Sequence, residues 1–199
     1  VNNLVFQEDL TVRGALAQPR DAETQDAAEF VFPTFYTETD GAIEAYAKEA
    51  FASDRPLMEA ARDLTTRIFT EFEYTPAATT YATPGVQAFE AQKGVCQDFA
   101  HVFLACCRAV GAPARYVSGY FLTRPPEGQE KMIGSDASHA WVSVWSPTSG
   151  WVDFDPTNDM IPRDEHITTA WGRDFNDVSP IRGIVLGGGG HSIDVAVDV

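Results

Sequence analysis

The sequence has few cysteines, few basic side chains and no long hydrophobic run. Three cysteines, an odd number that includes the adjacent pair Cys106 and Cys107, do not suit a disulfide framework. Fourteen lysines and arginines against 29 aspartates and glutamates give a formal net charge of −15, which repels nucleic-acid phosphates and anionic lipids. A membrane helix needs about 18 or more consecutive apolar residues. No segment of the sequence has such a run, so the sequence does not predict a membrane helix. The sequence therefore predicts neither a nucleic-acid partner nor a membrane partner.

The length and composition suit one main globular domain. Of the 199 residues, 44% are hydrophobic, which is enough to bury a substantial core. No basic segment followed by an apolar one opens the chain, so a cytoplasmic location is the default expectation. The chain starts at Val1 and not at Met, and residues 1 to 17 mix alternating apolar positions with turn formers. We interpret those residues as strand ends that finish a β-unit whose beginning is missing.

Helical periodicity dominates the first half of the chain. Apolar residues recur three and four positions apart in four stretches: 41 to 51, 57 to 72, 86 to 91 and 94 to 111. The last stretch has the clearest amphipathic pattern, and Gly111 followed by Pro113 is typical of a helix end. The sequence therefore predicts four helices before residue 112.

Strand patterns dominate the second half. Runs rich in β-branched and aromatic residues fill five segments: 114 to 123, 139 to 145, 151 to 155, 181 to 186 and 192 to 199. The four glycines at 187 to 190 lack the Lys and Ser/Thr of a phosphate-binding loop, and we interpret them as a turn between strands. Helices followed by strands predict an α+β fold, with the helices packed on a mainly antiparallel sheet.

Cys96 is the candidate nucleophile. It follows Gly94 and opens the predicted helix, where unpaired backbone N–H groups and the positive end of the helix dipole favour a thiolate and could hold an oxyanion. Cys106 and Cys107 lie about three turns deeper in the same helix, where thiols behave as small buried hydrophobes. The sequence therefore predicts that Cys96 is the reactive thiol.

His139 is the candidate base. It stands at the beginning of a predicted strand, which would hold the imidazole rigidly. The other three histidines favour structural or exposed positions: His101 lies five residues after Cys96 and on another face of the helix, and His166 and His191 lie in loop or strand-start contexts.

Two aspartates could orient the imidazole. Strand alternation puts Asp153 and Asp155 on one face of the segment 151 to 155. Asp155 comes directly before Pro156, which ends the strand and fixes its last residue at the rim of the sheet. We therefore predict Asp155 as the third catalytic residue and keep Asp153 as the alternative.

A metal site or another cofactor is not expected. One cysteine, two histidines and several aspartates could be assembled into a zinc set, but no CxxC or HxxxH spacing supports it. The prediction is a site without metal and without cofactor.

Three segments together resemble the bacterial transglutaminase-like family, which includes candidate cysteine proteases. These are GVCQDFA, SHAWVSVW and WVDFDPTN, in which His139 follows Cys96 by 43 positions and Asp155 follows His139 by 16. The resemblance is good from about residue 66 to 191 and weak before that. It implies a papain-like, transglutaminase-like core in which Cys96, His139 and Asp155 form the catalytic triad.

The resemblance also implies features around this core. Relatives often carry a β-rich domain upstream, so residues 1–20 are expected to be its tail and residues 21–199 the catalytic domain. A glutamine or aromatic donor to the oxyanion is expected before the cysteine, with Tyr81 and Gln87 as the candidates. The polar loop at 124 to 138 either borders the cleft or is an exposed hairpin connection.

The function implied is acyl transfer through a thiol acyl-enzyme. The substrate would be an amide or peptide bond in a peptide or protein, and water would make the enzyme a protease or amidase where an amine would make it a transglutaminase. The alternative is an inactive transglutaminase-like module that binds or scaffolds. The sequence does not predict the oligomeric state.

Overall fold

The structure, a computed structural model, describes residues 11–16, 27–122, 137–180 and 183. Within these residues, helices pack on a sheet. The helices are α1 (Val12–Leu16), α2 (Gly41–Ala50), α3 (Leu57–Glu71), α4 (Gly85–Ala91), α5 (Cys96–Ala109) and α6 (Phe175–Val178). The strands are β1 (Glu73–Tyr74), β2 (Lys93–Gly94), β3 (Ala114–Phe121), β4 (Ala137–Ser146), β5 (Gly150–Phe154) and β6 (His166–Gly172).

The four helices predicted between residues 41 and 111 are confirmed as α2 to α5. Asp40 begins α2, because its carboxylate accepts the backbone N–H groups of Ala42 and Ile43. In α3 most apolar positions, among them Leu64 and Ile68, are fully buried and face the core, whereas Phe69 is exposed. No helix among the described residues is both long and apolar enough to cross a membrane.

Helix α5 lies at the centre of the core. Eleven of its 14 residues are buried, so this helix is enclosed on nearly all sides. Its end is confirmed at Gly111, whose φ of +77° lies in the left-handed region that favours glycine. Cys106 and Cys107 are fully buried, and burial raises the pKa of Cys106 to about 12 and the pKa of Cys107 well above its usual value. The interpretation of both as core residues is confirmed.

A four-stranded antiparallel sheet packs against α5, with strand order β5-β4-β3-β6. Val142, Val144 and Phe154 belong to the buried core that the sheet shares with the helices. The strands predicted at 114 to 123, 139 to 145 and 151 to 155 are confirmed as β3, β4 and β5. The strands predicted at 181 to 186 and 192 to 199, and the glycine run between them, lie outside the described residues apart from Gly183.

The strand interpretation is wrong for residues 12 to 16, which form helix α1. The Thr11 hydroxyl accepts the backbone N–H of Gly14, and the backbone N–H groups of Val12 and Arg13 bind the carbonyls of Arg55 and Ser53. A five-residue helix is too short to show a period, and its backbone is anchored by a distant loop that the local pattern does not reveal. The rest of the expected domain tail at 1–20 lies outside the described residues and stays a prediction.

Candidate active site

Cys96 is the first residue of α5, as predicted. A short parallel pair of strands, β1 and β2, positions the chain directly before it. Strand β1 pairs with β2 so that Tyr74 lies opposite Gly94, two residues before the cysteine. The thiol is partly exposed, whereas the other two cysteines are buried. Its position at the helix start places it beside backbone N–H groups that have no partner within the helix.

Asp98 fixes the start of this helix. Its Oδ2 accepts the backbone N–H of Val95 at 2.8 Å and the hydroxyl of Thr79 at 2.6 Å. The carboxyl group is almost fully buried, and burial raises its pKa against the lowering effect of these two hydrogen bonds. Gly94 packs directly on Asp98: a Cβ at residue 94 would lie 2.6 Å from both Cβ and Oδ2 of Asp98. Glycine is therefore required two residues before the thiol because the capping carboxylate occupies that space.

The structure brings Cys96, His139 and Asp155 together. Nε2 of His139 lies 2.7 Å from Oδ2 of Asp155, and its side chain is 9% exposed. Cys96 lines the same cavity and is close enough to act on the pKa of the imidazole by hydrogen bonding and charge. Because Nε2 is taken by the carboxylate, Nδ1 is the ring nitrogen left for the thiol.

Burial shifts the pKa of His139 in one direction, and the neighbouring side chains of Asp155 and Cys96 shift it in the other. Burial lowers the pKa of the imidazole, but the hydrogen bond and charge of Asp155, joined by those of Cys96, raise it to about 9. An imidazolium at neutral pH is the partner that a thiolate needs.

Asp155 is held as a carboxylate by five hydrogen bonds. Its Oδ2 accepts from His139, from Asn158 Nδ2 at 2.7 Å and from His166 Nε2 at 3.0 Å. Its Oδ1 accepts the backbone N–H groups of Thr157 at 2.9 Å and Asn158 at 3.3 Å. The side chain is fully buried, and burial alone would raise its pKa, but the hydrogen bonds from His139, His166 and Asn158 hold that pKa well below its usual range.

Asp153, the alternative partner, contacts a different side chain. Its Oδ2 accepts from the indole N–H of Trp141 at 3.1 Å. The indole belongs to a fully buried tryptophan, so Asp153 satisfies a core donor. Of the two aspartates, Asp155 is the one at the imidazole.

His101, which was predicted to be structural or exposed, lies in the core. The ring is fully buried, stacks on Tyr36 with centroids 4.8 Å apart, and accepts the backbone N–H of Phe175 through Nε2. Burial, followed by the charge of Arg108, lowers its pKa to about 3. This histidine is neutral at physiological pH and packs as an aromatic core residue.

His166 is a site residue that sequence reasoning missed. It was predicted as structural or exposed, but it opens strand β6, its side chain is 2% exposed and its Nε2 meets Asp155. Strand β6 itself was not predicted. The alternation in HITTAWG was the available signal, weakened because a polar histidine begins the strand and two threonines lie at its centre.

A cavity of about 260 Å³ opens at the thiol. Its described lining residues are Tyr74, Cys96, Phe121, Ser138, His139, Thr157 and Asn158. Tyr81 and Gln87, the donors expected from the resemblance, are exposed and are not among these described lining residues. Tyr74 is the upstream aromatic residue at the cavity. Most of the polar loop at 124 to 138 lies outside the described residues.

A metal could be considered at His139, Asp155 and His166, whose ligand atoms all lie within 4.8 Å of one another. The two imidazole–carboxylate separations of 2.7 and 3.0 Å are hydrogen-bond lengths. Tetrahedral zinc, with bonds of about 2.0–2.1 Å, would hold neighbouring ligand atoms about 3.3 Å apart. The geometry of these three residues therefore fits a hydrogen-bonded network.

The chain is similar in sequence to known bacterial proteins. The uncharacterized protein Rv2569c of Mycobacterium tuberculosis is 44% identical over 188 residues, which cover 92% of this chain and 60% of that protein. A protein-glutamine gamma-glutamyltransferase of Pseudomonas aeruginosa is 32% identical over 107 residues, which cover 50% of this chain and 16% of that protein. The chain thus spans about 60% of the length of the mycobacterial relatives it matches.

Two solved structures share the fold. A candidate cysteine protease from Cytophaga hutchinsonii has a TM-score of 0.65 and 28% identity, over 77% of this chain and 49% of that one. The periplasmic domain of TgpA from Pseudomonas aeruginosa has a TM-score of 0.51 and 25% identity, over 74% of this chain and 50% of that one. The predicted α+β class with a papain-like core is confirmed, while the cytoplasmic location stays a prediction.

The match to one family model is long enough to show the family to which the chain belongs. The family model of the transglutaminase-like superfamily covers residues 44–156, more than half of the chain, and this range includes Cys96, His139 and Asp155. The resemblance inferred from the three sequence segments is therefore confirmed. The chain belongs to the transglutaminase-like superfamily.

Proposed function

We propose that this protein is a Cys–His–Asp acyl-transfer enzyme that acts on amide or peptide bonds in a peptide or protein. The observation that carries the proposal is that His139, which is hydrogen-bonded to Asp155, lines the same cavity as a partly exposed thiol, that of Cys96. The other two thiols have no such access, because both are fully buried.

In the proposed reaction, the Cys96 thiolate attacks the carbonyl carbon of the amide. The imidazolium of His139 gives its proton to the leaving amine, and a thioester forms on Cys96. Water or a second amine then attacks the thioester while neutral His139 takes its proton, and the thiolate leaves. Asp155 keeps a proton on Nε2 of His139, so that Nδ1 exchanges protons with the reacting groups.

We also propose Tyr74 as a donor to the oxyanion. Its ring lines the cavity together with Cys96, and the β1–β2 register places its backbone opposite Gly94. Burial, followed by the charge of Cys96, raises the pKa of the phenol, so the hydroxyl keeps its proton. The second donor would be a backbone N–H of the first turn of α5.

Hydrolysis and transamidation differ only in the group that attacks the thioester. We favour hydrolysis, supported by the likeness to the Cytophaga hutchinsonii structure over 77% of the chain. The match to the Pseudomonas aeruginosa gamma-glutamyltransferase covers half of the chain and keeps transamidation as the second outcome. Incubating the enzyme with a glutamine-containing peptide and a labelled primary amine separates the two: free carboxylate indicates hydrolysis, and incorporated amine indicates transamidation.

The test of the whole proposal is profiling with a library of acyl electrophiles. The wild-type protein should form a covalent adduct on Cys96, and Cys96→Ala should form none. Cys106→Ala is the matched control, because it removes a buried thiol and should leave the adduct intact. Circular dichroism confirms that each variant is folded. A folded wild-type protein whose Cys96 reacts no faster than free cysteine would instead be an inactive module that binds or scaffolds.

A further inference from the structure

His166 is enclosed by aromatic rings and has one polar partner among the described residues. Its ring meets Phe121 edge to face at a centroid distance of 4.8 Å and Trp141 at 5.0 Å. Its Nε2 lies 3.0 Å from Asp155 Oδ2, and no described residue bonds its buried Nδ1. A buried imidazole whose one hydrogen bond is to a carboxylate serves as a donor to that carboxylate.

Two strands, β3 and β6, approach each other closely where this donor is held. His166 opens β6 and pairs with Phe121 of β3, and the β3–β6 ladder shifts register between Ser118 and Gly119. A Cβ at Gly119 would collide with the carbonyl oxygen of Ile167 and would lie 2.6 Å from Cη2 of Trp141. Only a glycine at residue 119 lets β6, which carries His166, come this near to β3. Strand β3 in turn lies beside β4, which carries His139.

Asp155 needs such a donor because the terminal torsion of a carboxylate is soft. Two backbone N–H groups hold Oδ1, which leaves Oδ2 to be held by side chains. One of them, Asn158, is exposed and lines the cavity, where a substrate can displace it. The other, His166, is buried, with a side chain that is 2% exposed. His166 is therefore the donor that persists when the cavity is filled.

We propose that His166 is a positioning residue of the site: it holds Oδ2 of Asp155 in line with Nε2 of His139, and it acts on the thiol through that contact. This inference rests on the proposed function and deepens it. The other contacts of His166 with residues of the cavity are ring contacts, with His139 at a centroid distance of 5.8 Å and with Phe121 at 4.8 Å, and its one described side-chain hydrogen bond is to Asp155.

The test measures the rate of Cys96 alkylation by iodoacetamide as a function of pH, which needs no substrate. His166→Phe keeps the aromatic volume and removes the donor, so alkylation near neutral pH should slow about 10- to 100-fold, as when a supporting partner of a site residue is lost. In the plot of alkylation rate against pH, the transition at the high-pH end should move to lower pH. His166→Gln, whose amide nitrogen reaches the position of Nε2, should restore the rate to within about threefold of wild type.

A double-mutant comparison separates positioning from packing. In an Asp155→Ala background, His166→Phe should change neither the rate nor its pH profile further, because the residue through which it acts is gone. His101→Gln is the matched control: it removes a histidine that is fully buried elsewhere in the core and should lower the melting temperature without moving the alkylation profile. A folded His166→Phe protein with the wild-type profile would overturn the inference, as would an equal loss in the Asp155→Ala background.

One measurement keeps the inference testable if the substitutions at His166 prevent folding. In the otherwise wild-type protein, Asp155→Asn should shift the imidazole ¹⁵N resonances of both His139 and His166, and unchanged His166 resonances would overturn the inference. Failure of the proposed function looks different: Cys96 of the wild-type protein would then be alkylated no faster than free cysteine at any pH.

Discussion

The 2.7 Å hydrogen bond between His139 Nε2 and Asp155 Oδ2 runs diagonally across strands β4 and β5. In this ladder Asp153 lies directly opposite Ser143, so the next residue of the same face, Asp155, continues the ladder towards Trp141. Asp153 makes the equivalent diagonal contact one step earlier, with Trp141. The register of β4 against β5 therefore decides which aspartate meets the imidazole.

The two aspartates should differ sharply in their effect on turnover. Asp155→Asn should slow turnover by roughly two to four orders of magnitude, because it removes the acceptor that fixes the imidazole tautomer. Asp153→Asn should cost much less, since its amide oxygen can still accept from the Trp141 indole. Steady-state rates on an amide substrate measure both, with circular dichroism as the check on folding. A larger loss for Asp153→Asn would mean that the wrong aspartate has been assigned.

Tyr74 should affect the rate of the chemical step more than substrate binding. Tyr74→Phe removes the hydroxyl and keeps the ring, so kcat should fall about 10- to 100-fold with KM nearly unchanged. Tyr81→Phe is the matched control, because that side chain is 74% exposed and does not line the cavity. Equal effects of the two substitutions would remove Tyr74 from the oxyanion site.

The stability of the protein should depend on pH through the His139–Asp155 pair. Folding raises the pKa of His139 from about 6.5 to about 9, so its contribution to the free energy of unfolding is complete below about pH 6.5 and is lost as pH rises to 9. The loss should be on the order of 1–3 kcal/mol. Folding lowers the pKa of Asp155, so its contribution is present above about pH 4 and is lost on acidification.

Urea denaturation at several pH values checks this dependence. A Cys96→Ala background keeps titration of that thiol out of the comparison. In that background, His139→Gln should flatten the decrease between pH 6.5 and 9. A decrease that survives this substitution would assign the pH dependence to other groups.

Gly94 should be intolerant of even a methyl group. Gly94→Ala should destabilise the fold by about 1–3 kcal/mol, because the added Cβ overlaps the Asp98 carboxylate that caps α5. It should also slow alkylation of Cys96, since the start of the helix would shift. Gly41→Ala is the matched control, because a Cβ there meets nothing within 4 Å, and its thermal unfolding should be close to that of the wild type.

Local sequence determined the elements that carry the thiol and the imidazole. The period and length of the segment ending at Gly111 predicted α5, and Gly94 together with the position at the helix start indicated Cys96 as the candidate nucleophile. The alternating patterns at 139 to 145 and 151 to 155 predicted β4 and β5. These features depend on neighbours in the chain, which is why propensity and periodicity could reveal them.

Only the tertiary structure decided how these elements meet. The choice between Asp153 and Asp155 depends on strand register, which periodicity cannot fix because both residues lie on one face. His166 and Tyr74 reach the site through β6 and β1, a strand with a weak pattern and a strand of two residues. Helix α1 forms on hydrogen bonds to residues about 40 positions away. Contacts between distant segments are absent from any local pattern, and they complete the environment of the carboxylate, the cavity wall and the start of the described chain.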